Sequence, residues 1–315
     1  MKLPGYLMLF TPIFNLKKNR ARVELAFFGG NFLGLEKSRI RALLKTVQPW
    51  IRRGQIHSIR CSTRPDTVTP QVLDFTRPFG LETVELGVQS MNDHVLAQAR
   101  RGHTSSDTRK ALALLKTHGF GTGAQVMVGL PGDSDVGAVR TAEELAELKP
   151  DLVRIYPLLV LHGSKLAQWY KTGQYVPLSL DQAIDQTKKM VSIFKTAEIS
   201  IARIGLQATQ MMDDTGQMIA GPWHPAFGHL VLSALMFDQA CERIDFALTG
   251  NDRSIGKPEK KKIALQVHSR SLSRLQGDRK TNLNRLLQRY PEISFTIEKN
   301  DTLAMDQIHA CIVSA

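Results

Sequence analysis

The sequence has little cysteine: only three of its 315 residues are cysteines, Cys61, Cys241 and Cys311. Because they lie far apart, they exclude a disulfide framework and do not form a local metal-binding motif. This usage is typical of a reducing compartment, so we expect a cytoplasmic location. No apolar run is long enough to cross a bilayer, and residues 1–14 lack the small-residue cleavage site of a targeting segment.

Acidic residues are also in the minority. The chain has 29 Asp and Glu against 41 Lys and Arg, which gives a net charge of +12 and a pI of about 9.7. This excess suggests a polyanionic partner such as RNA, although many basic proteins have no such partner. The length of 315 residues allows a large α/β domain with an appendage.

Short apolar runs alternate with amphipathic segments along the chain. Strands are predicted at residues 23–28, 56–61, 83–88, 124–128, 152–161 and 199–206, and helices at 36–52, from 70, from 92, and at 106–118, 135–148 and 181–197. This alternation, with a period of about thirty residues, is typical of parallel βα units in a barrel or an open sheet. Residues 1–22 contain no predicted strand, and 16–22 look like the polar end of a helix.

The C-terminal part differs in composition, so we divide the chain into residues 1–220 and an extension at 221–315. The extension is predicted to contain a long helix over 222–248, strands at 263–267 and 293–298, and helices at 280–290 and from Met305. From residue 251 onward it is rich in lysine and arginine. These basic residues form either a solvated face or a surface that contacts phosphate backbones, and both interpretations stay open.

Small and polar residues follow the predicted strands. They include Gly29-Gly30-Asn31, Ser62, Arg64, Gln89, Gln125 and Gly129. Paired glycines let a ligand approach the backbone, and parallel strands place ligands at their carboxyl ends. Each feature alone has a plainer explanation, such as an Arg64–Asp66 surface pair or a Glu85 that faces a neighbouring strand. Their recurrence over consecutive units favours a ligand site.

Four segments in this order resemble the radical S-adenosylmethionine (SAM) enzymes. They are residues 27–35 (FFGGNFLGL), 59–66 (IRCSTRPD), 84–90 (VELGVQS) and 128–132 (VGLPG). Over about residues 23–235 the chain resembles the radical SAM domain of the Elongator acetyltransferase subunit and its bacterial relatives. The resemblance implies an α/β fold, a partial TIM-type (β/α) barrel whose first strand is missing, with a small C-terminal α/β appendage.

The resemblance also implies roles for individual residues. Gly29, Gly30 and Asn31 would meet the methionine end of SAM, and Gln89 would bind the ribose hydroxyls. Ser62 and Arg64 would form the polar end of the next strand, where the Arg64 guanidinium could hold a carboxylate in a forked contact. Val128 would lie beside the adenine, and Gln125 is a further candidate for the same cofactor.

One departure concerns the 4Fe-4S cluster with which the family reduces SAM. The family holds that cluster with a Cys-x3-Cys-x2-Cys loop, because thiolates stabilise iron–sulfur clusters. This sequence has no cysteine before Cys61, so no residue is predicted as a metal ligand. We expect either that the natural protein begins further upstream, which we favour, or that radical chemistry has been lost.

Three functions therefore remain open from the sequence. The first is a radical SAM enzyme that cleaves SAM to a deoxyadenosyl radical and acts on tRNA, with this chain inactive as given. The second is a non-catalytic SAM- or RNA-binding module on a degraded barrel. The third is an unrelated phosphate-binding barrel enzyme, for which Glu85 is the only candidate acid or base.

Overall fold

A computed structural model describes residues 2–3, 6–7, 22–206, 217–249 and 261–313. The chain divides into two compact units, Met1–Gly87 with Ser106–Gly123, and Val88–Ser105 with Ala124–Ala315. The boundary expected near residue 220 stays a prediction. Within the described ranges, none of the helices combines the length and the apolar character needed to span a membrane.

The central element is a six-stranded sheet with helices between its strands. Its strands are β3 (Glu24–Phe27), β4 (Ser58–Thr63), β5 (Leu81–Gln89), β6 (Gly121–Val128), β7 (Leu152–Pro157) and β9 (Ser200–Ile204), in the order β3-β4-β5-β6-β7-β9. Each strand lies beside the strand of the next βα unit along the chain. The pairs β3–β4, β4–β5 and β7–β9 are parallel. The α/β class expected from the sequence is confirmed.

The helices that connect these strands begin and end close to the predicted residues. They are α1 (Lys37–Arg52), α2 (Pro70–Thr76), α3 (Asp93–Gln98), α4 (Ser105–Thr117), α5 (Asp135–Leu148), α6 (Lys165–Lys171) and α7 (Leu180–Thr196). Helix α1 buries Ile40, Leu43, Leu44 and Val47, which recur at helical spacing on one face. A side-chain cap fixes the start of α2. The Thr69 side chain accepts a hydrogen bond from the Val72 amide, and Pro70 follows at the first helical position.

The first unit's strands separate an apolar face from a polar one. In β4, Ile59, Cys61 and Thr63 are buried, whereas Arg60 and Ser62 between them are half-buried. Successive side chains of a strand point to opposite faces of the sheet. One face of β4 is therefore core, and the other presents polar groups to its neighbours.

The second unit ends in a three-stranded sheet. It consists of β11 (Lys261–Val267), β12 (Ile293–Lys299) and β13 (Ile308–Val313), in the order β12-β11-β13, packed with α8 (Phe227–Thr249), α9 (Leu272–Gln276) and α10 (Thr281–Arg289). Its core includes Ile244, Ile263, Leu265 and Leu286. The predicted α/β appendage is therefore present in this unit.

The helix predicted from Met305 is wrong, because that segment is the strand β13. Ile308, Ala310 and Ile312 alternate toward the apolar core of the three-stranded sheet, which is the period of a strand. β13 pairs antiparallel with β11, from Ile308 opposite Val267 to Val313 opposite Lys262.

Other differences are local. The single strand predicted at 152–161 is two strands, β7 and β8 (Val160–Leu161), because Pro157 has no N–H with which to continue a ladder. Helix α6 was not predicted, and β8 pairs with β10 (Met218–Ala220). The chain also has a two-residue pair, β1 (Lys2–Leu3) and β2 (Tyr6–Leu7), where no strand was expected. The helix end proposed at 16–22 lies outside the described residues except for Arg22, as do the basic residues at 251–260.

Candidate functional site

The Gly29-Gly30 turn follows β3 directly. Both glycines have positive φ, 112° and 73°, and an added Cβ at either position would meet nothing within 4 Å. Residues with side chains rarely adopt such angles, so glycine is required for the backbone and not for lack of space. Because both glycines are exposed, their amides and carbonyls lie open to a ligand.

Asn31 anchors this turn to the end of β4. Its Oδ1 accepts from the Thr63 hydroxyl at 2.7 Å, from the Thr67 hydroxyl at 2.8 Å and from the Arg64 backbone amide at 3.1 Å. Its Nδ2 occupies the space that a side chain at Gly34 would need. The side chain of Asn31 therefore holds the loop in place, and Thr63 and Thr67 are partners that the sequence did not reveal.

Two backbone contacts complete the attachment. The Phe32 amide donates to the Ser62 carbonyl at 3.1 Å, and the Leu33 amide donates to the Thr63 hydroxyl at 3.1 Å. Phe32 is buried and stacks on Phe27 with ring centroids 4.9 Å apart. The residues after the glycine pair are thus fixed by polar and apolar contacts, whereas the two glycines themselves are exposed.

Ser62 and Arg64 flank the end of β4. Ser62 is half-buried, and Arg64 makes a forked pair with Asp66, with Nε–Oδ1 and Nη2–Oδ2 distances of 2.9 and 2.7 Å. The hydrogen bond to Asp66 raises the pKa of the Arg64 guanidinium above its ordinary value. The plainer explanation considered for Arg64, a pair with Asp66, is the one that the structure shows.

A charged triad lies on the polar face of the same unit. Arg60 pairs with Glu24 and, at 2.6 Å from Nη1 to Oε1, with Glu85. Glu85 is only 2% exposed, so its carboxylate needs this cation. The ion pair with Arg60 argues against Glu85 as a catalytic acid or base. The ion pairs that Arg60 makes with Glu24 and Glu85 could not be predicted from the sequence.

In the second unit, the structure brings Gln89 and Gln125 together. The Gln125 amide Nε2 donates to the Gln89 Oε1 at 3.3 Å. Gln89 ends β5, is 3% exposed and has a φ of 66°. A positive φ is uncommon for a residue with a side chain and marks strained backbone of the kind that clusters at functional sites.

The loop after β6 is held by Tyr175. Val128 is fully buried, and the Tyr175 hydroxyl donates to the Gly129 carbonyl at 2.7 Å. Burial raises the pKa of Tyr175 to about 12, so the phenol stays a donor at neutral pH. A cavity of about 240 Å³ lies beside this loop, lined in part by Gly132, Asp133 and Tyr175. Burial also raises the pKa of the Asp133 carboxyl.

The cysteines do not form a metal centre. Cys61 is buried in β4, where burial and then the charge of Glu85 raise the pKa of its thiol. Cys241 is buried in α8, and Cys311 is half-buried in β13. Among the residues that the structure describes, no group of three or more His, Cys, Asp or Glu side chains could hold a metal ion. These residues do not fit a 4Fe-4S cluster.

Two protein-family models match successive parts of the chain. The family model of the Radical SAM superfamily matches residues 13–145, and the model of the Radical_SAM C-terminal domain matches residues 150–236. The chain belongs to the radical SAM superfamily. The resemblance inferred from the motifs of the glycine turn and the later strand ends is thereby confirmed.

Curated relatives of this radical SAM protein include tRNA-modifying and Elongator proteins. It is 35% identical over 155 residues to the tRNA uridine(34) acetyltransferase of Methanocaldococcus jannaschii, covering 48% of this chain and 29% of the relative. It is 31% identical over 195 residues to Elongator complex protein 3 of Saccharomyces cerevisiae, covering 55% and 34%. In both cases the match spans only about a third of the relative's length.

A solved structure supports the fold. The chain superposes on the Methanocaldococcus infernus Elp3 with an N-terminal deletion at a TM-score of 0.61 and 26% identity, covering 68% of this chain and 54% of that one. The partial barrel of parallel strands expected for the family is therefore confirmed. The roles assigned to Gly29, Gly30, Asn31, Ser62, Arg64, Gln89, Gln125 and Val128 stay predictions, as does the cytoplasmic location.

Proposed function

We propose that this radical SAM protein binds S-adenosylmethionine at the Gly29-Gly30 turn and acts on tRNA. The observation that supports the proposal most directly is that the backbone of this turn is exposed and free of side chains. Two exposed glycines at positive φ have no atom within 4 Å of the position of a Cβ. Asn31 then fixes the loop that follows them. A backbone that is open and also anchored is preorganised for a ligand, which reduces the ordering cost of binding.

The chemistry of the turn suits the methionine end of SAM. Its amino acid group carries an ammonium and a carboxylate, which are met by backbone carbonyls and amides respectively. The open faces of Gly29 and Gly30 supply both kinds of group without a side chain between them. When bound, SAM supplies a sulfonium centre with an activated carbon–sulfur bond.

The other assigned residues differ in how well they suit the cofactor. Gln89 and Gln125 have carboxamides that can donate and accept, as ribose hydroxyls require. Val128 is apolar and buried, and the exposed backbone that follows it suits an adenine edge. Arg64 is already engaged by Asp66, so binding a carboxylate there would require it to share or exchange that partner.

The proposal that the substrate is tRNA has two supports. Relatives named for tRNA uridine modification match about half of this chain. The described part of the C-terminal extension is also rich in basic side chains, with Arg279 and Lys280 exposed in the loop before α10. Lysine and arginine side chains of this kind contact phosphates without reading sequence.

The test of SAM binding is a matched pair of glycine substitutions, Gly30→Ala and Gly54→Ala, measured by isothermal titration with SAM. Gly54 is also exposed in the first unit, with a φ of 69° and nothing within 4 Å of an added Cβ. Both substitutions therefore impose a similar backbone strain of roughly 1 kcal/mol. Only Gly30→Ala is expected to weaken SAM binding, by about tenfold or more, because it places a methyl group on the ligand side.

If both variants bind SAM as the wild type does, the turn is not the site. SAM cleavage is a separate question, since a non-catalytic SAM- or RNA-binding module would also bind it. It is tested by anaerobic reconstitution with iron and sulfide, followed by assay for 5′-deoxyadenosine with dithionite as the one-electron reductant. Because the described residues do not fit a 4Fe-4S cluster, we expect no 5′-deoxyadenosine from this chain, and formation of the product would contradict that expectation.

A further inference from the structure

A cavity of about 600 Å³ lies in the second unit, and the residues assigned to SAM are not part of its described lining. It is lined by α7, α8 and the start of α10, and α8 packs against both of the other two helices. Its apolar residues include Ile184, Leu230 and Ala234. Small-molecule sites of this size combine apolar walls with a few polar groups that fix the ligand. The polar groups of the lining therefore indicate what the cavity can bind.

Asn282 presents a fixed hydrogen-bond acceptor to this cavity. It is only 4% exposed, and its Nδ2 donates to the Ser233 carbonyl at 2.9 Å, to the Ser233 hydroxyl at 3.0 Å and to the Arg274 carbonyl at 3.1 Å. No described residue donates to Oδ1, which is nonetheless not sealed from solvent. The oxygen is therefore held in one orientation and is accessible from the cavity that Asn282 lines.

His224 supplies a donor whose identity is also fixed. Its Nδ1 accepts from the Ala226 amide at 3.1 Å. A ring nitrogen that accepts a hydrogen bond carries no proton, so the proton of the neutral imidazole is on Nε2. Within the described part of the chain, nothing accepts from this N–H. Because His224 lines the cavity, Nε2 is available to an acceptor on a bound molecule.

One cation of the lining lacks a carboxylate partner among the described residues. The Arg285 guanidinium lies over the Phe237 ring, with its central carbon 3.8 Å from the ring centroid. Lys188, by contrast, is paired with both Asp185 and Asp238. A planar guanidinium that a ring holds in place can bind one phosphate in a forked contact.

Two exposed carboxylates of the lining, Asp181 and Asp278, restrict the ligand further. Neither forms an ion pair with a residue that the structure describes, and both can accept hydrogen bonds from hydroxyl groups. They oppose a ligand with several phosphates, because like charges that lie close together repel. The lining therefore favours a ligand with a single phosphate, hydroxyl groups and an apolar body that carries donors and acceptors at its edge.

We propose that this cavity binds a single nucleotide that carries one phosphate. The base edge meets Asn282 and His224, the ribose hydroxyls meet Asp181 and Asp278, and the phosphate meets Arg285. A base has donors and acceptors along an edge between two apolar faces, as this lining requires. The nucleotide is either an unpaired residue of RNA or a free monophosphate. The inference rests on the proposed function, because it extends the tRNA substrate to one nucleotide of that RNA.

The test pairs two variants of the full chain with matched controls. Ala234→Leu fills the cavity, and Ala247→Leu makes the same change at a half-buried position of α8 outside the described lining. Arg285→Gln removes the phosphate contact, and Arg243→Gln makes the same change in net charge at an exposed position of α8. Each protein is titrated with 5′-GMP, 5′-UMP and their nucleosides, with and without excess SAM. SAM itself is titrated separately, and unfractionated tRNA is measured by fluorescence anisotropy.

Ala234→Leu is expected to weaken monophosphate binding by about tenfold or more, since a filled cavity has no room for a base. Arg285→Gln should weaken it by about tenfold and leave the matching nucleoside unchanged, because one charge-assisted contact is lost. Both controls should behave as the wild type. A parallel loss of tRNA affinity in Ala234→Leu identifies an RNA nucleotide. Unchanged tRNA affinity, with monophosphate binding lost, identifies a free nucleotide.

Three outcomes overturn the inference. In the first, the wild type binds neither monophosphate, and Ala234→Leu binds tRNA as Ala247→Leu does. In the second, either variant matches its control with both monophosphates. In the third, excess SAM displaces the monophosphates, so they occupy the SAM site. If Ala234→Leu does not fold, the comparison of Arg285→Gln with Arg243→Gln decides alone. Failure of the wild type to bind SAM, with monophosphate binding intact, would instead contradict the proposed SAM site.

Discussion

Replacing Asn31 with alanine is expected to weaken SAM binding by releasing the loop that carries the glycine pair. The substitution removes the oxygen that accepts from the Thr63 and Thr67 hydroxyls and from the Arg64 amide. Each hydrogen bond contributes about 1 kcal/mol net, and donors left unsatisfied cost more when buried. Because Thr63 is buried and Asn31 is half-buried, we expect a total loss of about 2 kcal/mol of unfolding free energy.

The assay combines urea unfolding with titration of SAM on three variants. Asn31→Asp keeps an accepting oxygen in the same place and should recover most of the stability and the SAM affinity. Asn92→Ala is the matched control, because it removes the cap that accepts from the His94 amide at 2.9 Å in the second unit. It should cost about 1 kcal/mol without a change in SAM affinity.

The comparison separates a positioning residue from a ligand contact. If Asn31→Asp is as stable as the wild type but binds SAM as poorly as Asn31→Ala, the amide nitrogen contacts SAM directly. If Asn31→Ala binds SAM normally, the anchoring of the loop has no part in binding. Either result would refute the reasoning from the hydrogen-bond network.

Three further predictions concern stability. Arg60→Met should cost about 3 kcal/mol in urea unfolding, since it removes a cation from the buried Glu85 carboxylate, and the double variant Arg60→Met/Glu85→Gln should recover most of it. Recovery of nothing would mean that Arg60 acts by packing alone. Tyr175→Phe should lower Tm by removing about 1 kcal/mol, because a loop carbonyl loses its donor; an unchanged Tm would contradict this role. A hydrogen bond from Lys189 holds the pKa of the Asp185 carboxyl below its usual range. That pair therefore stabilises the fold above about pH 4 and loses its effect as pH falls through the lowered value. Asp185→Asn should remove less than about 1 kcal/mol at pH 7 and nothing at pH 2, and an equal loss at both pH values would contradict the ionic cause.

The order of strands and helices could be predicted because its signals are local. Apolar residues at helical spacing identify α1, and Thr69 with Pro70 marks the start of α2. The segment from Met305 failed because a short apolar run does not distinguish a helix from a strand without its partner. β11, which pairs with that segment, lies about forty residues earlier in the sequence.

The glycine turn could also be located from the sequence, because Gly29-Gly30 ends an apolar strand. The contacts that support it could not. Asn31 meets Thr67, 36 residues later, and Arg60 meets Glu24, 36 residues earlier. The pairing of β7 with β9 shifts register between Val153–Ile201 and Arg154–Arg203, and these two strands lie nearly fifty residues apart in the sequence. Such features follow from tertiary pairing, which periodicity along a single chain does not encode.

The most direct test of SAM binding at the glycine turn is hydrogen–deuterium exchange of the intact chain with and without SAM. We predict that SAM slows exchange in peptides that contain residues 28–34, where the open amides of Gly29 and Gly30 lie. The peptide around Gly54, an exposed turn of the same unit, should exchange at the same rate in both states. Protection elsewhere, with none at 28–34, would contradict the assignment of the turn as the SAM site.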